Sequence, residues 1–447
     1  MTIDSLTQYI NRGIELADSS LEELLSLRAE NTTLLALGGP DGNTIDPQGN
    51  WWASHPTALS KAIRGSWRWW LRVLLQSKYH AENYQELWKI EDKLGIGSTN
   101  NASCYIIKVE DVNISSKPLS SGEIRRLLES IIDNGKFEII RKNYASFNEK
   151  LISYMLTKLR YYVLISTPYR SRKYSNKQEL YKFIYRKQPI LPGKISLKIT
   201  LYKRKACKTE IDNQPRKALI YALVIGGIGA ATTRGFGKFI IEEGDEAIQI
   251  QEKILNNYIS EFYNISDRIE TTTLPDLSKA IKIKVPLPEA RDELDALAKI
   301  SDVVKKYEWK TLARRNGLTW RPPYREHGDR YHTWVLGLPR SVRYTGYFIN
   351  IKEPGRWKSP FIFTPIKDDD KWAILTTMFP LEDANILLLD SSRKLWWKGK
   401  YIKQVGMLKL LRPRKGGLLD PGRWGAGEAY VAALEWIIEL LRQNGGK

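Results

Sequence analysis

The chain has 447 residues, 42% hydrophobic and 27% charged, with 70 Lys and Arg against 50 Asp and Glu, a net charge of +20. That length predicts two or three domains with a real core. No apolar run reaches the roughly 18 residues of a membrane span, the start lacks the basic and apolar regions of a signal peptide, and Cys104 and Cys207 are too few for a disulfide framework or a tetrahedral zinc site. The reading is a soluble, cytoplasmic protein with no membrane partner, and its cationic surplus implies an anionic partner, nucleic acid first.

The first 30 residues carry 6 acidic against 2 basic residues, and LEELLSLRAE reads as a helix, so residues 1–31 are expected to form an acidic helical extension. TTLLALGG reads as a short strand ending in the turn Gly39-Pro40-Asp41-Gly42. A long helix follows from Thr57 to Tyr79, then a shorter one over Tyr84–Leu94. SCYIIKVEDVNI alternates like a strand, LSSGEIRRLLESII returns to helix, and RYYVLIST and KISLKITLYK are further strands. Pro215 starts an apolar helix that runs into the glycine-rich segment Gly226–Gly237 and the strand KFIIEE. These elements compose a first module over residues 32–244.

Residues 245–275 read as a helical linker, and residues 276–447 as a second module. There KAIKIKVPL is a strand and EARDELDALAKISDVVKKY a helix. PFIFTPIK and KWAILTTMF form neighbouring strands across Asp368-Asp369-Asp370, which is more simply a turn than a metal trap. GEAYVAALEWIIELLRQ is an amphipathic helix with Val431, Leu434, Ile438 and Leu441 on one stripe. The expected class is α+β, and a βαββαβ unit with inserts fits each half.

The charge is concentrated. Residues 151–220 hold 17 basic against 3 acidic residues, 310–360 hold 11 against 3, and 388–423 hold 10 against 2. One such run is as readily a solvated face; three, each interleaved with aromatics, point to nucleic acid.

Two segments are candidate contacts. On the Thr57–Tyr79 helix, Lys61, Arg64, Arg68 and Arg72 fall within an arc of about 80°, while Ile63, Trp67, Trp70 and Leu74 occupy another face. Arginines four apart repeat at about 6 Å, a spacing able to follow successive phosphates. The competing reading is a solvated face lying over its own tryptophans, which are expected in the core. GGIGAATTRGFGKF is neither a Walker A loop nor GxGxxG. Its glycines still let backbone N–H groups approach an anion, with Thr232, Thr233, Arg234 and Lys238 as further donors, against the plain alternative of a helix-to-strand turn.

Catalytic signals are thin. His55, His80, His327 and His332 show no HExxH spacing, and no GxSxG or Cys–His elbow is present. No catalytic residue, metal or cofactor is expected.

SKAIRGSWRWWLR resembles the first-helix signature of the RAMP superfamily of CRISPR-associated proteins, and GGIGAATTRGFGKF resembles its glycine-rich loop, which ends in Arg-Gly-Phe-Gly. LGIGSTNNASCYIIKV is similar to the segment between them, with Ile96 in place of the usual phenylalanine. GLPR at Gly337–Arg340 and RWKSP at Arg356–Pro360 resemble motifs of one branch, the first subunit of the type III-B Cmr complex. Ala231 and Thr233 stand where the family usually has arginines.

The resemblance implies two ferredoxin-like (RRM-like) modules. It also implies a non-catalytic subunit capping one end of a ribonucleoprotein filament. Its partners would be CRISPR guide RNA near the 3′ region, target single-stranded RNA and other RAMP subunits of the Cmr complex. The RNA-binding residues would be Lys61, Arg64, Arg68 and Arg72 on the helix, Gly227, Gly229, Thr232, Thr233, Arg234, Gly235 and Lys238 in the loop, and Arg356 and Lys358. Two alternatives stand beside this: a RAMP-type metal-independent endoribonuclease acting on guide RNA precursor, with a histidine as general acid or base, and an RNA-binding module outside CRISPR.

Overall fold

The structure, a computed structural model, describes residues 20–35, 56–98, 101–114, 195–208, 212–229, 232–259, 270–304, 340–342, 345–349, 359–368, 370–381, 395–397, 403–405 and 426–442. The turn expected at 39–42, the helix LSSGEIRRLLESII, the strand RYYVLIST and most of the three basic patches lie outside them. The chain divides into two units. The first comprises Met1–Leu119, Lys173–Ala230 and Gly237–Asn256; the second comprises Ser120–Arg172, Ala231–Phe236 and Asn257–Lys447.

In the first unit, β1 (Leu21–Asn31) is followed by α1 (Pro56–Tyr79), α2 (Tyr84–Lys93), β2 (Tyr105–Ile114), β3 (Ile195–Arg204), α3 (Gln214–Tyr221), β4 (Phe239–Glu243) and α4 (Asp245–Asn256). The sheet order is β2-β3-β1-β4, and every pairing is antiparallel. The helix expected at LEELLSLRAE is therefore an interior strand of this sheet. Leu25, Leu27, Ala29 and Asn31 are buried in alternation with half-buried Ser26, Arg28 and Glu30, the period of a strand rather than of a helix. Leu25 pairs with Leu201, Leu27 with Ile199 and Ala29 with Leu197. Partners on both sides satisfy the backbone of this segment and override the helix preference of its Leu and Glu residues.

Helix α1 packs against β2 and α3. Its buried face includes Ile63, Trp67, Trp70 and Leu71. The Trp67 indole N–H donates to the Pro215 carbonyl at 2.9 Å, and Trp70 stacks on Tyr221 with ring centroids 4.9 Å apart. Both tryptophans are core residues, and the polar edge of Trp67 is satisfied. The two cysteines, too few for a framework, pair with each other: Cys104 before β2 and Cys207 after β3 form a disulfide spanning 103 positions. The helix expected as a linker belongs, as α4, to the first unit through Asn256. It buries Ala247, Gln251 and Ile254, and the Gln251 side chain accepts from the Ile241 N–H (2.8 Å), tying the helix to β4.

The second unit contains β5 (Ile281–Leu287), α5 (Glu293–Val304), β6 (Arg340–Val342), β7 (Thr345–Ile349), β8 (Phe361–Asp368), β9 (Lys371–Met378), β10 (Leu395–Trp397), β11 (Lys403–Val405) and α6 (Ala426–Arg442). One antiparallel sheet has the order β5-β9-β8 and another β11-β10-β7-β6. Helix α6 packs on β5, and α5 packs on β8, β9 and α6. Leu434, Ile438 and Leu441 of the expected stripe are buried, and Tyr430 meets Phe361 with centroids 6.3 Å apart. Asp368, at the end of β8, and Asp370, just before β9, flank the turn of the β8–β9 hairpin. Asp370 takes a φ of 67°, a left-handed conformation that Asp tolerates, and its carboxylate pairs with Lys367 at 2.7 Å. Single parallel bridges join Ile259 to Ile283 and Arg234 to Phe363. All three sheets are antiparallel, and helices pack on the first and on β5-β9-β8, so the class is α+β.

Candidate nucleic-acid interface

The basic ridge of α1 divides in two. Lys61 and Arg64 are exposed. Arg68 and Arg72 instead converge on Glu91 of α2, whose side chain is only 1% exposed. Arg68 Nη2 donates to Glu91 Oε2 at 2.9 Å, Arg72 Nη2 donates to the same oxygen at 3.0 Å, and Arg72 Nε donates to Oε1. Arg68 also donates to the Gly97 carbonyl at 2.6 Å. Three charge-assisted donors on one carboxylate hold α2 against α1, so the two arginines stand as a clamp between helices. The ion pair falls on the apolar side of α2, where Leu87 and Glu91, four apart, are both buried. A carboxylate at that position of the stripe was the sequence signal for it.

The glycine-rich segment also divides. In the first unit, α3 passes into a π turn, Ala222–Gly226. A Cβ on Gly226 would come within 2.2 Å of the Trp70 indole nitrogen, and one on Gly237 within 2.0 Å of the Ile228 carbonyl oxygen. Glycine at these two positions serves close packing. Gly227 is buried and Gly229 exposed. Lys238, expected to reach phosphate, is 1% exposed. Its Nζ donates to the carbonyls of Ile225 and, at 3.2 Å, Gly226. Burial holds its pKa well below the usual lysine value. The apolar surroundings draw the alkyl chain inward, and the two carbonyls satisfy the amine there.

In the second unit, Thr232, Thr233 and Arg234 are half-buried and Gly235 is buried. The Thr233 carbonyl accepts from the Phe363 N–H at 3.0 Å, and the Gly235 N–H is spent on the Thr232 carbonyl at 3.2 Å. A Cβ on Gly235 would meet Ile300, Leu297 and Pro365 at 2.9 to 3.0 Å. Arg356 and Lys358 lie outside the described residues, as do His55, His327 and His332. His80 is exposed. Among the described residues, no group of three or more His, Cys, Asp or Glu side chains is placed to hold a metal ion, and no helix is long and apolar enough to cross a membrane.

Sequence reasoning assigned no role to an exposed aromatic pair on α2. Tyr84 is 47% and Trp88 53% exposed, with ring centroids 6.4 Å apart.

Residues 59–240 match the profile of the RAMP superfamily. No curated protein matches the chain. Among solved structures, it is similar to Cmr1 from Pyrococcus furiosus in its apo form, at 16% identity and a TM-score of 0.40, covering 79% of this chain and 87% of that one. It is also similar to a chain of the type III-B Cmr-beta structure bound to cognate target RNA and AMPPnP in the presence of ssDNA, at 16% identity and a TM-score of 0.42, covering 94% of this chain and 100% of that one. A chain of Cmr-beta bound to cognate target RNA gives 15% identity and a TM-score of 0.39, with the same coverage of 94% and 100%. The stretch that matches the RAMP superfamily profile contains nearly all of the tryptophan helix, the strands β2 and β3 that follow it and the whole glycine-rich segment.

Proposed function

We propose that the chain is a non-catalytic, cytoplasmic RNA-binding subunit of a type III-B CRISPR (Cmr) ribonucleoprotein. It caps one end of the filament, holds the guide RNA 3′ region and target RNA, and contacts other RAMP subunits. The observation that carries this reading is the RAMP segment at residues 59–240 on a chain with a net charge of +20. The motifs GLPR and RWKSP, similar to those of the first Cmr subunit, support the branch. The chain order β1-α1-β2-β3-α3-β4 with sheet order β2-β3-β1-β4 supports a ferredoxin-like first module. In the second, β5, α5, β8, β9 and α6 follow the same order, and Ile259 bridges β5 on the edge where a fourth strand belongs.

In such an assembly base pairing reads sequence while protein holds the backbone. Binding of a single-stranded RNA by the purified chain is therefore expected to depend weakly on sequence and steeply on salt. Neutralising about six phosphates gives a log–log slope near roughly −4, and a slope near zero would refute the electrostatic reading. The same RNA is expected to stay intact with and without Mg²⁺ or Mn²⁺. Cleavage abolished by His55→Ala or His327→Ala would replace this reading with the endoribonuclease.

A further inference from the structure

A π turn shifts the helical hydrogen-bond register and leaves carbonyls near its end without their usual partners. Here two side chains from outside the helix take them. The Ser66 hydroxyl of α1 donates to the Gly227 carbonyl at 3.2 Å, with the Ala222 carbonyl at 3.5 Å. On the other side, Lys238 Nζ donates to the carbonyls of Ile225 and Gly226.

The backbone of Lys238 is fixed as firmly as its amine. Its N–H donates to Thr33 Oγ1 at 3.0 Å, and its carbonyl accepts from the Thr32 N–H at 2.8 Å. One residue earlier, the Gly237 N–H donates to Leu34 and its carbonyl accepts from the Ile228 N–H at 2.8 Å. Both ends of the glycine-rich segment are thereby tied to one lysine.

The chemistry of the amine fits this role and excludes the one expected from sequence. A phosphate ligand keeps its ammonium at the surface, where water offsets the cost of the charge. Lys238 is 1% exposed. Its N–H donors are spent on the two carbonyls of the π turn.

We infer that Lys238 is a positioning residue for RNA binding: by capping the π turn it holds the two ends of the glycine-rich segment in their binding geometry, and it does not touch phosphate. This rests on the proposed RNA-binding function.

The test uses the full chain with Lys238→Met, which keeps the length and apolar bulk of the side chain and removes its donors, and Ser66→Ala as a milder second variant. Hydrogen exchange in the free protein reads positioning. The Ile228 and Gly237 amides are expected to exchange roughly tenfold faster, with Leu27 and Ile199 in the sheet unchanged. Titration with a single-stranded oligonucleotide reads use: affinity is expected to fall roughly tenfold, as for one lost buried hydrogen bond, with the salt slope unchanged.

A slope reduced by about 0.7 means a lost phosphate contact and overturns the inference. So does unchanged exchange at Ile228 and Gly237, or unchanged affinity, in both variants. If Lys238→Met loosens the sheet amides as well, Ser66→Ala decides by the same criteria. A wild type that binds no RNA sinks the proposed function and this role with it, and is told apart by the exchange data, which need no RNA.

Discussion

Glu91→Gln separates the clamp from the ridge. The Glu91 side chain is 1% exposed, against 32% for Arg68 and 30% for Arg72. Removing one member of a buried ion pair costs about 3–5 kcal/mol when the remaining charge is trapped. Both guanidiniums reach solvent here and can rehydrate, and Arg68 keeps its bond to the Gly97 carbonyl, so the expected loss is about 2–3 kcal/mol. Glutamine retains one acceptor oxygen but turns an N–H₂ group toward a guanidinium, so it does not rescue the pair. The assay is urea unfolding of the full chain, read as a midpoint shift at unchanged slope. RNA titration at a temperature where the variant stays folded provides the second reading. Because the substitution releases two cations to solvent, RNA affinity is expected to hold or rise while stability falls. A midpoint within about 0.5 kcal/mol of wild type, the usual scatter of surface changes, would refute the clamp. Lower RNA affinity in the folded variant would show that Glu91 holds the arginines in place for phosphate.

The remaining predictions concern the disulfide and a buried lysine. Reduction, or paired Cys104→Ser and Cys207→Ser substitution, is expected to lower stability by about 2–5 kcal/mol, given the 103 positions enclosed; thiol titration of the unreduced protein that finds both thiols free would refute the pairing. Burial pushes the Lys282 amine down to about 8, below its unfolded value, so between those values the unfolded chain binds more protons and stability rises with pH. Wild type is expected to gain roughly 2 kcal/mol from pH 8 to 10 relative to Lys282→Met, measured below the range where the buried Tyr105 and Tyr221 hydroxyls, pushed up to about 12, act in the opposite sense.

Much of the architecture was legible because its periodicities are strong. The apolar face of α1, the alternation of β2, β3 and β5 and the continuous apolar runs of β8 and β9 each announce one element, and the turn at Asp368–Asp370 needs only its own residues. Leu21–Asn31 misled because Leu, Glu and Ala favour helices locally, while the pairing that makes it a strand involves residues more than 160 positions away. The site was harder to read. Lys61 and Arg64 reach solvent as the helical wheel predicts, but the same wheel cannot see that α2 brings Glu91 under Arg68 and Arg72. Lys238 reads as a phosphate donor in one dimension because charge is visible in sequence and burial is not.

The position of β1 between β3 and β4 has a consequence during synthesis. Its partners are Ile195–Arg204 and Phe239–Glu243, so a ribosome adding about 5–20 residues per second leaves β1 unpaired for roughly 10–40 seconds. Throughout that interval Leu25, Leu27 and Ala29 have no sheet to enter, and an idle apolar strand invites pairing with another chain. Glu22, Glu23, Arg28 and Glu30 interrupt the apolar positions and act as gatekeepers against such pairing. The acidity of this stretch, on a chain otherwise rich in cations, thus protects the nascent protein while it waits for the rest of its sheet.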